Sequence, residues 1–169
     1  MKHFTYYPKI EYSENIAVNI TVRAKIRDAI LSKSAIFYKY SLTDHDRPDI
    51  IATQYYGNPN STWALFYANE VFDPRFDWFM SYEQFKAYIK SKYGSVDFAM
   101  NKNNIHHYIL DNEYIIDKET FENNEVTGQK RAVTFYEYEE DLNEAKRNIV
   151  VLDVVYLGMI VNELESILK

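Results

Sequence analysis

The feature that most constrains this chain is the punctuation between Arg47 and Asn69. The sequence holds only four glycines and four prolines, yet Pro48, Gly57 and Pro59 crowd into this one stretch. Proline is tolerated in the first turn of a helix, where its missing N–H is not needed, and glycine supplies the left-handed residue that stops one. Pro48–Tyr56 therefore reads as a short helix with Asp46 as its cap, Gly57 as its stop, and Ile51 and Tyr55 facing inward. Asn58-Pro59-Asn60-Ser61 is a turn that ends in a cap, and Trp63–Asn69 forms a second short helix with Trp63, Phe66 and Tyr67 on one side. Two short helices must then meet across a tight turn.

On either side the periodicity changes. Residues 4–19 mix aromatics with Pro8 and keep neither the helical nor the strand period, so they read as an extended arm lying on something else. Val22, Ile26, Ala29, Ile30 and Lys33 follow helical spacing, and 37–42 has the aromatic, alternating look of a strand. Asp73-Pro74 breaks the chain. Ser81 with Gln84 three residues on is a capping box for a helix over 82–93, closed by Gly94. From Ile105 the period becomes two, which predicts strands over 105–110, 114–117 and 132–139, with turns at Asp111-Asn112 and Thr127-Gly128. Leu157, Ile160, Val161, Leu164, Ile167 and Leu168 recur at spacings of three and four, the pattern of an amphipathic terminal helix. That stripe reads as a partner-binding face, so truncation after Asp153 should leave a soluble, folded chain. The fold class is α+β, divided as 1–35 (arm and helix), 36–94 (strand, paired helices and the following helix) and 95–169 (β-rich segment and terminal helix).

Composition narrows the function. A net charge of −6 is the wrong sign for a protein whose main partner is a nucleic acid. No stretch reaches the eighteen or so uncharged residues of a membrane span. With no cysteine, disulfides, thiolate metal sites and thiol nucleophiles are all excluded. Aromatic residues make up 17% of the chain, and its 16 tyrosines pair a large apolar ring with a polar tip, which suits surfaces that become buried against other proteins.

Catalytic apparatus is not visible. His106 and His107 are neighbours in a predicted strand, where adjacent side chains point to opposite faces and could not grip one metal ion. Asp44-His45-Asp46 opens like a calcium loop but lacks the glycine turn and the closing glutamate, so a helix cap is the better account. Glu137, Glu139, Glu140 and Asp141 read as a solvated charge run. No phosphate-cradling loop and no nucleophile elbow is present. Neither a metal ion nor a cofactor is expected.

What remains is Arg47-Pro48, then Tyr56-Gly57-Asn58-Pro59, Trp63 and Asn69, followed by Asp73-Pro74, Trp78 and Ser81. This series resembles the signature of the baseplate wedge subunits of contractile-tailed bacteriophages. More loosely, Tyr136-Glu137-Tyr138-Glu139, residues 142–147 and the terminal helix follow in the expected order. The resemblance implies a LysM-like strand–helix–helix–strand unit, here about residues 37–78. It further implies a non-enzymatic structural subunit of the virion tail baseplate, made in the host cytoplasm. Such a subunit would clamp other wedge and hub proteins and join neighbouring wedges, in six copies, into a ring. The rival reading is a LysM-type module that binds peptidoglycan or other N-acetylglucosamine polymers.

Overall fold

A computed structural model of the chain describes residues 7–19 and 37–168. The helix expected over 22–33 lies outside the described residues. The chain divides into two compact units: Met1–Trp78 with Arg147–Lys169, and Phe79–Lys146.

In the first unit, strands β1 (Lys9–Tyr12) and β2 (Asn15–Val18) form an antiparallel hairpin in the register Lys9↔Val18 to Tyr12↔Asn15. The extended arm expected here is thus a hairpin. Its reversal is made by Ser13 and Glu14, both at positive φ (48° and 65°), the backbone a tight two-residue turn requires. No Asn-Gly or Asp-Gly marks that turn, which is why the sequence does not announce it. Ahead of the hairpin, Tyr7 is buried, and its hydroxyl lies 2.7 Å from that of Tyr67.

Strand β3 (Phe37–Ser41) pairs antiparallel with β7 (Asn148–Leu152), Phe37 opposite Leu152 and Ser41 opposite Asn148. Arg147 extends the pairing, its carbonyl accepting from Leu42 N and its Nη1 donating to Leu42 O, both at 2.8 Å. Between these strands in sequence come α1 (Pro48–Tyr56), a 3₁₀ turn (Pro59–Ser61) and α2 (Thr62–Ala68). The helix α7 (Val154–Leu168) follows β7 at once. Gly57 stops α1 at φ 67° and ψ 8°, its N–H reaching Thr53 O at 2.9 Å. The residue preceding α1 is Arg47, and its side chain makes no cap. Asp46, expected to cap α1, instead accepts from Thr43 N and Thr43 Oγ1 at 2.7 and 2.8 Å, closing the preceding turn. The core gathers Ile51 and Ala52 from α1, Trp63, Ala64 and Leu65 from α2, Val151 and Leu152 from β7, and Ile160 and Val161 from α7. A fully buried aliphatic side chain of this kind contributes about 1.5–3 kcal/mol.

The second unit holds α3 (Tyr82–Tyr93), α4 (Val96–Met100), β4 (Ile105–Leu110), β5 (Tyr114–Ile116), α5 (Lys118–Glu122), β6 (Lys130–Thr134) and α6 (Phe135–Glu144). The Ser81/Gln84 capping box forms, and Gly94 ends α3 at φ 85°. The sheet runs β5-β4-β6, antiparallel throughout. Asp111 and Asn112 both take positive φ at the β4–β5 reversal. The strand expected over 132–139 ends instead at Thr134, which caps α6 in a second capping box with Glu137. The alternation of Phe135-Tyr136-Glu137-Tyr138-Glu139 imitates a strand, but the box gives two orphan N–H groups of a helix start their acceptors, Glu137 Oε2 for Thr134 N and Thr134 Oγ1 for Glu137 N. Met80, Phe85, Ile89 and Ala99 form the buried cluster, with Phe135 and Tyr136 packed against it.

Candidate functional site

The signature residues fall on α1, the turn after it, α2 and the loop that follows. Pro48 occupies the first position of α1. Arg47 stands exposed and holds Asp49 through Nε and Nη2 at 3.1 and 3.0 Å. Asn58 Oδ1 accepts from Asn60 N at 2.9 Å and so caps the 3₁₀ turn that begins at Pro59. Trp63 is buried edge-on to Tyr67, ring centroids 5.8 Å apart. Tyr56 packs against the same cluster, and burial pushes its hydroxyl pKa up to about 12. That hydroxyl is enclosed and close to the Leu152 backbone, but not in hydrogen-bond geometry with it.

Asn69 does the most with a single side chain. Its Nδ2 donates to Leu65 O and to Val150 O, and its Oδ1 accepts from Val150 N, all at 2.8 Å. The carboxamide therefore ties the end of α2 to the middle of β7, eighty-one residues away. An amide fits because it offers donor and acceptor together. Asn69→Asp would place a carboxylate oxygen against two carbonyl oxygens, whereas Asn69→Ala only removes the bonds. We expect about 2 kcal/mol lost in Asn69→Ala and more in Asn69→Asp, read as shifts in the chemical-denaturation midpoint at constant slope.

After Asn69 the chain folds into a compact loop. Asp77 Oδ2 accepts from Phe72 N and Asp73 N at 2.9 and 2.8 Å, and Asp73 accepts from the backbone N, Nε and Nη2 of Arg75. The hydrogen bonds from Arg75 hold the Asp73 carboxyl below its ordinary range. Pro74 sits inside this turn. Trp78 is buried against Phe66, its Nε1 donating to Asp46 O at 3.4 Å.

The terminal helix carries the other group of expected site residues. Ile160 and Val161 are 2% and 7% exposed, and Leu157 is partly buried in the same cluster with Trp63 and Leu152. The side chains of Leu164 and Leu168 lie outside the described residues. Both groups meet at one place. A cleft of about 390 Å³ is lined by Tyr56, Asn58, Ser61 and Trp63 on one side and by Leu157, Gly158, Val161 and Asn162 of α7 on the other. The sequence alone gave no sign that these two stretches face each other, since about ninety residues separate them.

Two clusters in the second unit overturn expectations. Glu139, expected in a solvated charge run, is 4% exposed. It accepts from Lys92 Nζ and Tyr93 Oη, both at 2.7 Å, and from Tyr88 Oη at 3.1 Å. Burial opposes its charge, but these three donors together outweigh it and hold the carboxyl below its ordinary value. A helix rather than a strand puts Glu139 and Asn143 one turn apart on the inward face, where Asn143 bonds both Met80 N and Met80 O at 2.9 Å. The two histidines, expected to point apart, instead sit with their Nδ1 atoms 2.8 Å apart. An irregularity in the β4–β6 register between Ile105 and His107 breaks the alternation, and His106 stacks on Tyr138 at 3.9 Å. Burial lowers the His107 pKa, helped by His106 and Arg131 and opposed by Asp141.

Among the described residues, no group of three or more His, Cys, Asp or Glu side chains is placed to hold a metal ion. No helix among them is long and apolar enough to cross a membrane. The site is a cleft lined by the apolar Tyr56, Trp63, Leu157 and Val161 and by the polar Asn58, Ser61 and Asn162. That is the kind of surface found on a subunit of a larger assembly.

Comparison with known proteins specifies which assembly. The model of the base plate wedge protein 53 family matches residues 3–166, and the chain belongs to that family. It is 25% identical to the baseplate wedge protein gp53 of Enterobacteria phage T4 over 187 positions, covering 98% of this chain and 95% of that protein. The chain is a structural component of the phage tail baseplate, located in the virion.

Proposed function

We propose that this chain is the clamp of the baseplate wedge: it holds other wedge subunits together and joins neighbouring wedges, six copies in all, into a closed ring around the hub. The family match across residues 3–166 carries this reading. The cleft adds support, because it collects Tyr56, Asn58 and Trp63 of the signature beside the terminal helix. In this reading the LysM-like unit expected over residues 37–78, where no strand follows α2, takes β7 as the partner of β3 instead and serves protein contact, and the role is non-catalytic. Closure makes modest contacts sufficient, because each is repeated around the ring and supported by its neighbours.

The test is assembly from purified wedge proteins of the same phage, with and without this chain, followed by sedimentation and electron microscopy. Closed six-fold rings are expected only when the chain is present. Rings that close equally well without it would end the clamp reading. Co-sedimentation of the chain with purified cell walls would move the assignment to glycan binding.

A further inference from the structure

We propose that the outer edge of β2 takes up an extended segment of another wedge subunit as a third strand, one that pairs with the backbone of Ile16 and Val18 and carries apolar residues beside their side chains. The inference rests on the wedge reading above and gives it a surface and a kind of partner.

Among the described residues β1 and β2 form a sheet of two strands only. Every residue of β1 is exposed, and so is every residue of β2 except Ala17. A two-stranded hairpin is marginal by itself and gains stability from a third strand. The register fixes which backbone groups are spare. The two-residue turn at Ser13-Glu14 makes Tyr12 and Asn15 a hydrogen-bonded pair, and at the far end Asn19 N donates to Pro8 O at 2.8 Å. Hydrogen-bonded pairs alternate along an antiparallel ladder, so Ile10 and Ala17 form the one between them. Lys9 and Glu11 on β1, and Ile16 and Val18 on β2, therefore point their N–H and C=O groups away from the hairpin.

The two edges are not alike. β1 follows Pro8 and carries Lys9 and Glu11 at its outward-pointing positions, and proline and charge at an edge deter a further strand. β2 has no charged residue, proline or bulge, and its outward-pointing positions are Ile16, 78% exposed, and Val18, 40% exposed. Their side chains, two residues apart, share one face of the hairpin. An extended segment answers both features at once. It brings unpaired N–H and C=O groups, which a helix has already satisfied within itself, and it sets apolar side chains at alternate positions beside Ile16 and Val18. A strand of four residues is far smaller than the ~20–30 residues a side of a stable pair, so this edge alone could not hold two copies of the chain together. It fits one contact among the several that a wedge subunit makes.

Wedge assembly from the purified proteins tests this. Ile16→Pro removes one outward N–H and fills the place of the incoming strand while leaving the β1–β2 hydrogen bonds intact, so incorporation into wedges should fall ~tenfold or more. Ile16→Thr keeps the N–H and the β-branched shape and should lose less. Glu11→Pro makes the same backbone change on the other edge and should assemble at the wild-type level. Hydrogen exchange on the wild-type chain gives a readout that needs no variant: the Ile16 and Val18 amides should exchange freely in the isolated protein and be protected in the assembled wedge. Amides left unprotected in the wedge, or Ile16→Pro incorporated at the wild-type level, would overturn the proposal. So would an equal loss in Ile16→Thr, which would make the side chain rather than the backbone the thing recognised, or in Glu11→Pro, which would place the effect in the hairpin itself. Protection that grows with the concentration of the isolated chain would assign the edge to a second copy and overturn it too. The clamp reading fails separately, when the wild-type chain enters single wedges but does not join them.

Discussion

Replacing Glu139 with alanine is expected to cost about 3 kcal/mol at neutral pH, among the largest effects of any substitution of a charged residue in the second unit. The carboxylate is 4% exposed and is the common acceptor for Lys92, Tyr93 and Tyr88, so its removal takes the ion pair from Lys92 and the carboxylate acceptor from both phenol hydroxyls. Glu139→Gln keeps the shape and one acceptor oxygen but loses the charge, and should cost about half as much. The pH dependence has a definite sign. The folded carboxyl titrates below its ordinary value of 4.5, so its contribution is complete above that pH and is lost as the pH falls through the lower folded value. Chemical denaturation of wild type and Glu139→Gln at pH 7 and again well below pH 4.5 should show the gap between them closing in acid. A gap that stays constant would mean that the charge of Glu139 contributes nothing and that only its shape matters.

Removing the chain after Asp153 should abolish the folded first unit. The truncation deletes Leu157, Ile160 and Val161 from a cluster that also holds Trp63, Ala64, Tyr7 and Leu152. At about 1.5–3 kcal/mol for each fully buried aliphatic side chain, the loss is comparable with the whole stability of an ordinary domain, about 5–15 kcal/mol. The stripe read in the sequence as a docking face, and so dispensable for folding, turns inward at Ile160 and Val161 and exposes Val154, Val155 and Met159. Thermal unfolding monitored by the near-ultraviolet signal of the two tryptophans checks this directly. A truncated chain that keeps a cooperative transition in that signal would return the inner stripe to a partner role.

Several elements were legible in the sequence because their causes are local. Pro48 and Gly57 bound α1 through a fixed φ and a left-handed stop, and Ser81 with Gln84 starts α3 by reciprocal capping. The signature from Arg47 to Ser81 pointed to the baseplate wedge family, and the match over residues 3–166 supports that assignment. Other elements could not be read locally. The run Asn148-Ile149-Val150-Val151-Leu152 becomes a strand because it finds β3 more than a hundred residues earlier in the chain and is tied to Asn69, and nothing in its own few residues names those partners. The stretch after Thr134 carries both a strand-like alternation and a capping box, and packing of Phe135 and Tyr136 on the α3–α4 cluster accompanies the helical outcome. His106 and His107 meet because the β4–β6 register slips between Ile105 and His107, a feature of pairing rather than of either residue. The sequence by itself determined the limits of α1 and α3 and the family, since caps, stops and motif spacing act over a few residues. Only the tertiary structure decided that Glu139 is buried, that Tyr56 and Trp63 share a cleft with α7, and which face of α7 is left outward, because burial depends on contacts between segments far apart along the chain.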